Sequence, residues 1–218
     1  MKRTYFFVII AIALLVFATT SVAADARLDE IASVSAGLRT FRCHVVVEQS
    51  SGRRTSTVEL SFEFKRNPER MRIEYFAPRN MKGSIVALDG TYFYNYLPSM
   101  NRTQKQPLSS ASGDNPGKDM GALFDFVAGT FDELIAHSTA QSQGSETIRL
   151  GEGRDAVSVR TDCYQLAGPD ARQQVWFDSD TDAPVSIEVY DGNKLVRSIS
   201  VTEIALNEPI DDAEFSLE

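Results

Sequence analysis

Apolar and polar positions alternate with a period of two along much of this chain. Val58, Leu60, Phe62 and Phe64 fall on one side of a segment, with Glu59, Ser61, Glu63 and Lys65 on the other. That is the pattern of a strand with one buried face. Met71, Ile73 and Tyr75 repeat it against Arg70, Arg72 and Glu74. The stretch from Phe41 to Gln49 alternates too and ends at Ser50-Ser51-Gly52, a turn. Asp89-Gly90 separates Ser84–Leu88 from Thr91–Leu97 and predicts a tight hairpin. Leu108 to Lys118 is polar, rich in Ser, Gly, Asp and Asn, and reads as a loop. Strands resume at Asp155–Tyr164, Gln173–Phe177, Pro184–Tyr190 and Leu195–Ile204. Gly168-Pro169, Asp178–Asp182 and Asp191-Gly192-Asn193 mark the turns between them.

Helical spacing occurs in two places. Leu28, Ile31, Ala32, Ser35 and Leu38 form a stripe from Ala26 to Leu38. Met120, Leu123, Phe124 and Val127 share a face before Gly129, and Thr130-Phe131-Asp132-Glu133 reads as a capping box opening a second piece, with Leu134 and Ile135 behind it. The predicted fold is one α+β domain without repeats or linkers. An antiparallel sheet of eight or more strands (about the limit for a flat one), apolar on one face, has to curl to cover that face. A few short helices are available to plug the concave side. Such an arrangement makes either a filled core or an apolar cavity.

The N-terminus decides the compartment. Met1-Lys2-Arg3 is positive, Tyr5 to Ala18 is an unbroken apolar run of 14 residues, and Ser21-Val22-Ala23-Ala24 supplies small residues. The run is short for a membrane span and right for a secretory signal, with cleavage after Ala23 or Ala24. An uncleaved anchor is the rival reading. The expected organisation is a signal peptide over residues 1–23 and a single domain over 24–218. Without Lys2 and Arg3 the chain has 20 basic against 30 acidic residues. That balance argues against a nucleic-acid binder. In a diderm bacterium the mature protein is periplasmic.

Export permits a disulfide, and Cys43 and Cys163 are the only pair. Cys43 shares parity with Val45 and Val47, and Cys163 with Val157 and Val159, so both are expected to point into the core. A bond between them and two buried thiols are both open. Other chemistry has little material. His44 adjoins Cys43, but adjacent strand residues face opposite ways and make no nucleophile–base pair. His137 sits where a second helix would end, a routine place for a cation. Asp178-Ser179-Asp180-Thr181-Asp182 alternates oxygen ligands as a calcium loop does, but lacks the following Gly and the Glu at position twelve, where Val189 falls; a solvated turn is the better reading. Asn101-Arg102-Thr103 fits a glycosylation sequon by coincidence.

One ordered series of motifs is familiar. Lys65-Arg66-Asn67-Pro68-Glu69-Arg70-Met71-Arg72-Ile73-Glu74-Tyr75 is followed by Pro78, Gly83–Leu88, Asp89-Gly90 and Tyr94-Asn95-Tyr96-Leu97-Pro98. Asn207-Glu208-Pro209-Ile210-Asp211 and Phe215 close the chain. This series resembles the LolA-like family of periplasmic outer-membrane lipoprotein carriers and sorting proteins. It is densest from Phe62 to Lys105. Asn67 between Arg66 and Pro68, and the form of the Tyr94–Pro98 segment, depart from the best-known carriers. The resemblance implies an incomplete half-barrel of curled antiparallel sheet, helices capping a cavity for acyl chains, and no catalytic residues or cofactor.

On that basis the cavity lining is expected from Leu60, Phe62, Phe64, Met71, Ile73, Tyr75, Val157, Val159, Ile187 and Val189. The plug is expected from Leu123, Phe124, Val127, Leu134 and Ile135. The alternative for each is ordinary packed core. Two functions follow. One is a monomeric carrier for the acyl chains of a lipoprotein or lipid, dealing with an inner-membrane exporter or outer-membrane acceptor. The other is an envelope-stress sensor or interaction module contacting a membrane-anchored partner.

Overall fold

The alternating segments satisfy their backbone hydrogen bonds in one continuous antiparallel sheet. A computed structural model describes residues 26–52, 54–110, 120–151, 156–168 and 171–217. The described strands are β1 (Thr40–Ser51), β2 (Arg54–Lys65), β3 (Arg70–Ala77), β4 (Ile85–Leu88), β5 (Tyr92–Leu97), β6 (Arg102–Pro107), β7 (Thr139–Leu150), β8 (Val157–Ala167), β9 (Arg172–Asp178), β10 (Pro184–Asp191) and β11 (Lys194–Leu206). Their order is β6-β5-β4-β3-β2-β1-β11-β10-β9-β8-β7. The one junction between strands distant in sequence is at the centre, where β1 meets β11 with Val45 opposite Val201 and Val47 opposite Ile199.

Three helices lie on one face: α1 (residues 26–37), α2 (Ala122–Ala128) and α3 (Phe131–Ala136). Leu28, Ile31, Leu123, Phe126, Val127 and Phe131 from the helices pack with Phe41, Val45, Phe62 and Ile73 from one half of the sheet. Tyr164, Val175, Phe177 and Ile187 from the other half join the same cluster. This is the expected α+β architecture, an open curled sheet with short helices in its concavity. Phe131 and Phe177 meet edge-on at 5.4 Å between centroids, an arrangement that adds to the burial energy of the rings.

Two strands lack the period that marks the rest. All of β6 is exposed and β7 is exposed along most of its length. They are the two edges of the sheet: β6 has no buried face, and β7 covers only Ala140, Ile148 and Leu150 near its ends, too few to write an apolar pattern. The capping box is also corrected. Thr130 makes no side-chain cap bond; its hydroxyl lies 3.4 Å from the Asp125 carbonyl instead. Gly129, at φ 77°, ends α2 by donating its N–H back to Asp125 and Phe126 carbonyls. The loop over Leu108–Lys118 and the Gly168-Pro169 turn lie largely outside the described residues, as do the signal segment and its cleavage site.

A second apolar cluster occupies the opposite face of the sheet: Leu150, Cys163, Trp176 and Val185, with Val159 and Ile204 against it. This overturns the expected direction of Cys163, Val157 and Val159. Strand β8 is buried on both sides, Tyr164 and Leu166 taking the helical face and Cys163 the other. Alternation groups residues by face without saying which face is concave. Cys43 belongs to the helical face, so the sheet itself separates the two thiols; both are buried and free, and the disulfide is not formed.

The C-terminal residues form a strap. A short 3-10 turn, Asp212–Phe215, packs on β3 with Phe215 fully buried. Lys65 and Arg70 both pair with Asp212, and Arg42 pairs with Glu214 at 3.2 Å.

Candidate functional site

The concave face is not filled evenly. Between β1, β2, β3 and β11 lies a cavity of about 180 Å³. Val47, Val58, Leu60, Ile73 and Tyr75 supply its sheet wall, Met81 and Met120 cross it, and Gln49 and Arg197 supply polar atoms. Cross-strand register builds the wall, since Val47 faces Val58 and Leu60 faces Tyr75. Two methionines on flexible stems form an adaptable cover.

Of the expected lining residues, Leu60, Ile73 and Tyr75 meet at this cavity. Phe62, Phe64, Met71 and Ile187 are instead closed into the packed core, and Val189 is half-buried against it. Among the plug residues, Leu123 and Val127 are fully buried, while Phe124, Leu134 and Ile135 pack half-buried against the same cluster. Val157 and Val159 lie elsewhere, Val157 being 61% exposed. Both line another pocket, beside the second apolar cluster. Val47, Val58, Met81, Met120 and Arg197 were missed. The two valines sit where alternation continues toward the strand ends. Met120 was read on a helical face without being assigned to the cavity, and Met81 carries no periodic signal.

Polar bonds hold the plug at a few points. The Arg66 guanidinium, just beyond β2, donates to the carbonyls of Ala36 at 2.8 Å, Ser35 at 3.1 Å and Val127 at 3.0 Å. It thereby ties the C-terminal ends of α1 and α2 together, where unpaired carbonyls and the helix dipoles favour a cation. Ser35 adds a buried bond from its hydroxyl to the Phe126 carbonyl at 2.7 Å. Gly129 lies under the guanidinium, so close that a Cβ there would stand 2.3 Å from Nη2. Burial lowers the pKa of Arg66, with Glu69 opposing the shift, and its Nε is buried without a partner. At the other end of α2, the Gln173 side-chain oxygen accepts the Ala122 N–H at 3.0 Å.

The N-terminal end of α1 is tied down separately. Arg27 reaches Asp162 at 3.1 Å, Glu30 at 2.9 Å, Asp182, and the Ser179 carbonyl. Burial alone would lower the Arg27 pKa, but Glu30, Asp182 and Asp162 carry it above its ordinary value. The Asp178–Asp182 segment is thus a hairpin turn facing a guanidinium. Among the described residues no three His, Cys, Asp or Glu side chains gather as a metal site. His44 Nε2 lies 3.1 Å from Glu59 and its ring stacks on Phe76, while Cys43 points the other way into the core, where burial pushes its thiol pKa up. His137 follows α3 with Nδ1 2.8 Å from the Glu133 carbonyl. No described helix is long and apolar enough to cross a membrane.

Solved structures share this architecture. MucB superposes with a TM-score of 0.57 at 12% identity, over 90% of this chain and 63% of its own. The Mycobacterium tuberculosis lipoprotein LppX gives 0.52 at 15%, over 87% and 97%. A LolA superfamily protein from Nitrosomonas europaea aligns over 88% and 97% at 13% identity, with a TM-score of 0.41. This chain shares its fold with MucB and LppX. At these identities the likeness is one of fold, and this chain spans less than two thirds of MucB. No family model matches the chain, and comparison with curated proteins finds no match.

Proposed function

We propose that this protein is an exported, non-catalytic carrier that shelters an acyl chain of a lipid or lipoprotein between its sheet and its helices. The observation that carries this reading is the methionine-covered cavity walled by Leu60, Ile73 and Tyr75 beside a helical plug pinned by Arg66. Magnitudes set the mechanism. Each methylene taken from a bilayer into water costs about 0.8 kcal/mol, so a chain of about 16 carbons needs roughly 12 kcal/mol of shelter. A dry cavity of about 150 Å³ holds one benzene. At about 180 Å³ this one accepts only a short piece of chain as it stands. Loading therefore requires α1 or α2 to move. The helix-on-sheet packing given up in that movement offsets part of the binding energy, which keeps the cargo releasable. The leader over residues 1–23 and the periplasmic setting belong to the same proposal.

Native mass spectrometry of the exported domain, purified without detergent, tests it together with lipid analysis of an organic extract. Bound acyl lipid above the background of a control protein supports the carrier. An empty protein that also refuses a fluorescent fatty acid rejects it.

A second reading, an interaction module, is favoured by the likeness to MucB, which has been solved in complex with MucA. A module of that kind binds its protein partner equally well when the concave cavity is blocked; a carrier does not load.

A further inference from the structure

A larger pocket, of about 380 Å³, opens beside the second apolar cluster. It forms where β7 curls back to touch β11. Leu150, Val159 and Val185 wall it together with Val201 and Ile204. All but Val201 belong to the second apolar cluster, the one around Trp176; Val201 is buried in the helical-face cluster. The exposed Val157 extends the apolar wall to the rim.

Its polar lining is acidic: Glu203 and Glu208 are exposed, Asp178 is half-buried and accepts the Asp180 N–H at 2.8 Å, and no lysine or arginine lines it among the described residues. Glu203 is placed there by an irregularity in β11. The register against β1 slips between Arg42 and His44, and Glu203 takes φ 54°, a left-handed conformation that disfavours a non-glycine residue. The bulge leaves Glu203 exposed and Ile204 packed against both apolar clusters. The whole chain, with a net charge of −8, adds to the negative potential.

We propose that this pocket binds a single-chain amphiphile with a cationic head. Its volume lies within the range of about 300–1,000 Å³ common for small-ligand sites. The aliphatic walls take the chain, and the three carboxylates take an ammonium while repelling an anionic head of the same length. This site does not depend on the acyl-carrier reading, because it shares no lining residue with the concave cavity.

Trp176, the only tryptophan, packs with Leu150 and Val185, two walls of this pocket, and lines neither cavity, so its emission is an indirect reporter placed behind this pocket. Dodecyltrimethylammonium, titrated below its micelle concentration, shifts the Trp176 emission saturably with unchanged far-UV circular dichroism. Dodecanoate does so at least tenfold more weakly. Glu203→Gln with Glu208→Gln, both exposed positions, weakens the cationic probe about three- to tenfold, the scale of two exposed charge pairs. Val58→Glu, on the concave wall, leaves this response unchanged. No saturable shift, an equal response to dodecanoate, or indifference to the double substitution overturns the proposal. Lipid bound to the exported domain bears on the carrier reading alone.

Discussion

Arg66 shows most directly how one side chain can govern the cavity. Its bonds to three helix-end carbonyls are charge-assisted, each of a kind worth about 1.5–3 kcal/mol when buried partners are left bare. Arg66→Met is expected to lower stability by about 2 kcal/mol or more and to speed uptake of a fluorescent fatty acid; denaturant titration and stopped-flow binding read the two effects. Slower uptake in a folded variant would show that the tie does not gate the cavity. Gly129→Ala should act on the same tie, since its Cβ collides with the guanidinium and φ 77° already disfavours a side chain. Asp162 gives a pH signature. Burial works to raise its pKa, but hydrogen bonds from Ser145 and Arg27 hold it below the ordinary value. A carboxyl lowered on folding contributes stability that is present above its unfolded pKa and lost as pH falls through the folded one. Asp162→Asn should therefore cost about 1–3 kcal/mol at pH 7, with the difference fading as pH falls through the folded carboxyl's titration; thermal unfolding across pH checks this. The sequence contained Lys65-Arg66 as part of a motif, but nothing in it said which carbonyls the guanidinium would meet, since two of its partner residues lie 31 and 61 positions away.

Among the elements, those with one buried face were legible and those without were not. Strands β2 and β3 were readable residue by residue because Leu60, Phe62, Phe64, Met71 and Ile73 are all buried at the expected parity. β6 left no trace because it is exposed throughout, and β7 left none because only Ala140, Ile148 and Leu150 near its ends are covered. Their backbone protection should differ accordingly. β1 and β11, paired on both sides at the sheet centre, are expected to exchange amide hydrogens slowest, and β6 and β7 fastest. Hydrogen-exchange mass spectrometry measures this, and fast exchange in β1 would contradict the sheet order. Thr130→Ala tests the missing cap: without a side-chain cap bond its cost should stay under about 0.5 kcal/mol.

At the scale of the molecule, one sheet with apolar material on both faces separates residues that alternation alone had grouped together. Cys43 and Cys163 should titrate as two thiols in denaturant and remain unreactive toward a thiol reagent in the native protein. The same separation decides which substitutions probe the cavity. Phe62→Glu buries a charge in closed core and should unfold the protein, whereas Val58→Glu sits on the half-buried cavity wall and should leave it folded yet block acyl uptake. Circular dichroism with a fatty-acid binding assay distinguishes the two. The sequence by itself determined the fold class, the helices around Gly129, the Asp89-Gly90 hairpin and the parity of most strands. These follow from local periodicity and turn chemistry, which a chain carries in its own order of residues. Only the tertiary structure decided which face of β8 turns toward the helices, where Arg66 finds its carbonyls, and where the β7 curl opens a second pocket. Those depend on how the sheet bends and on the meeting of residues far apart in the chain, and a period of two is the same whichever way the sheet curls.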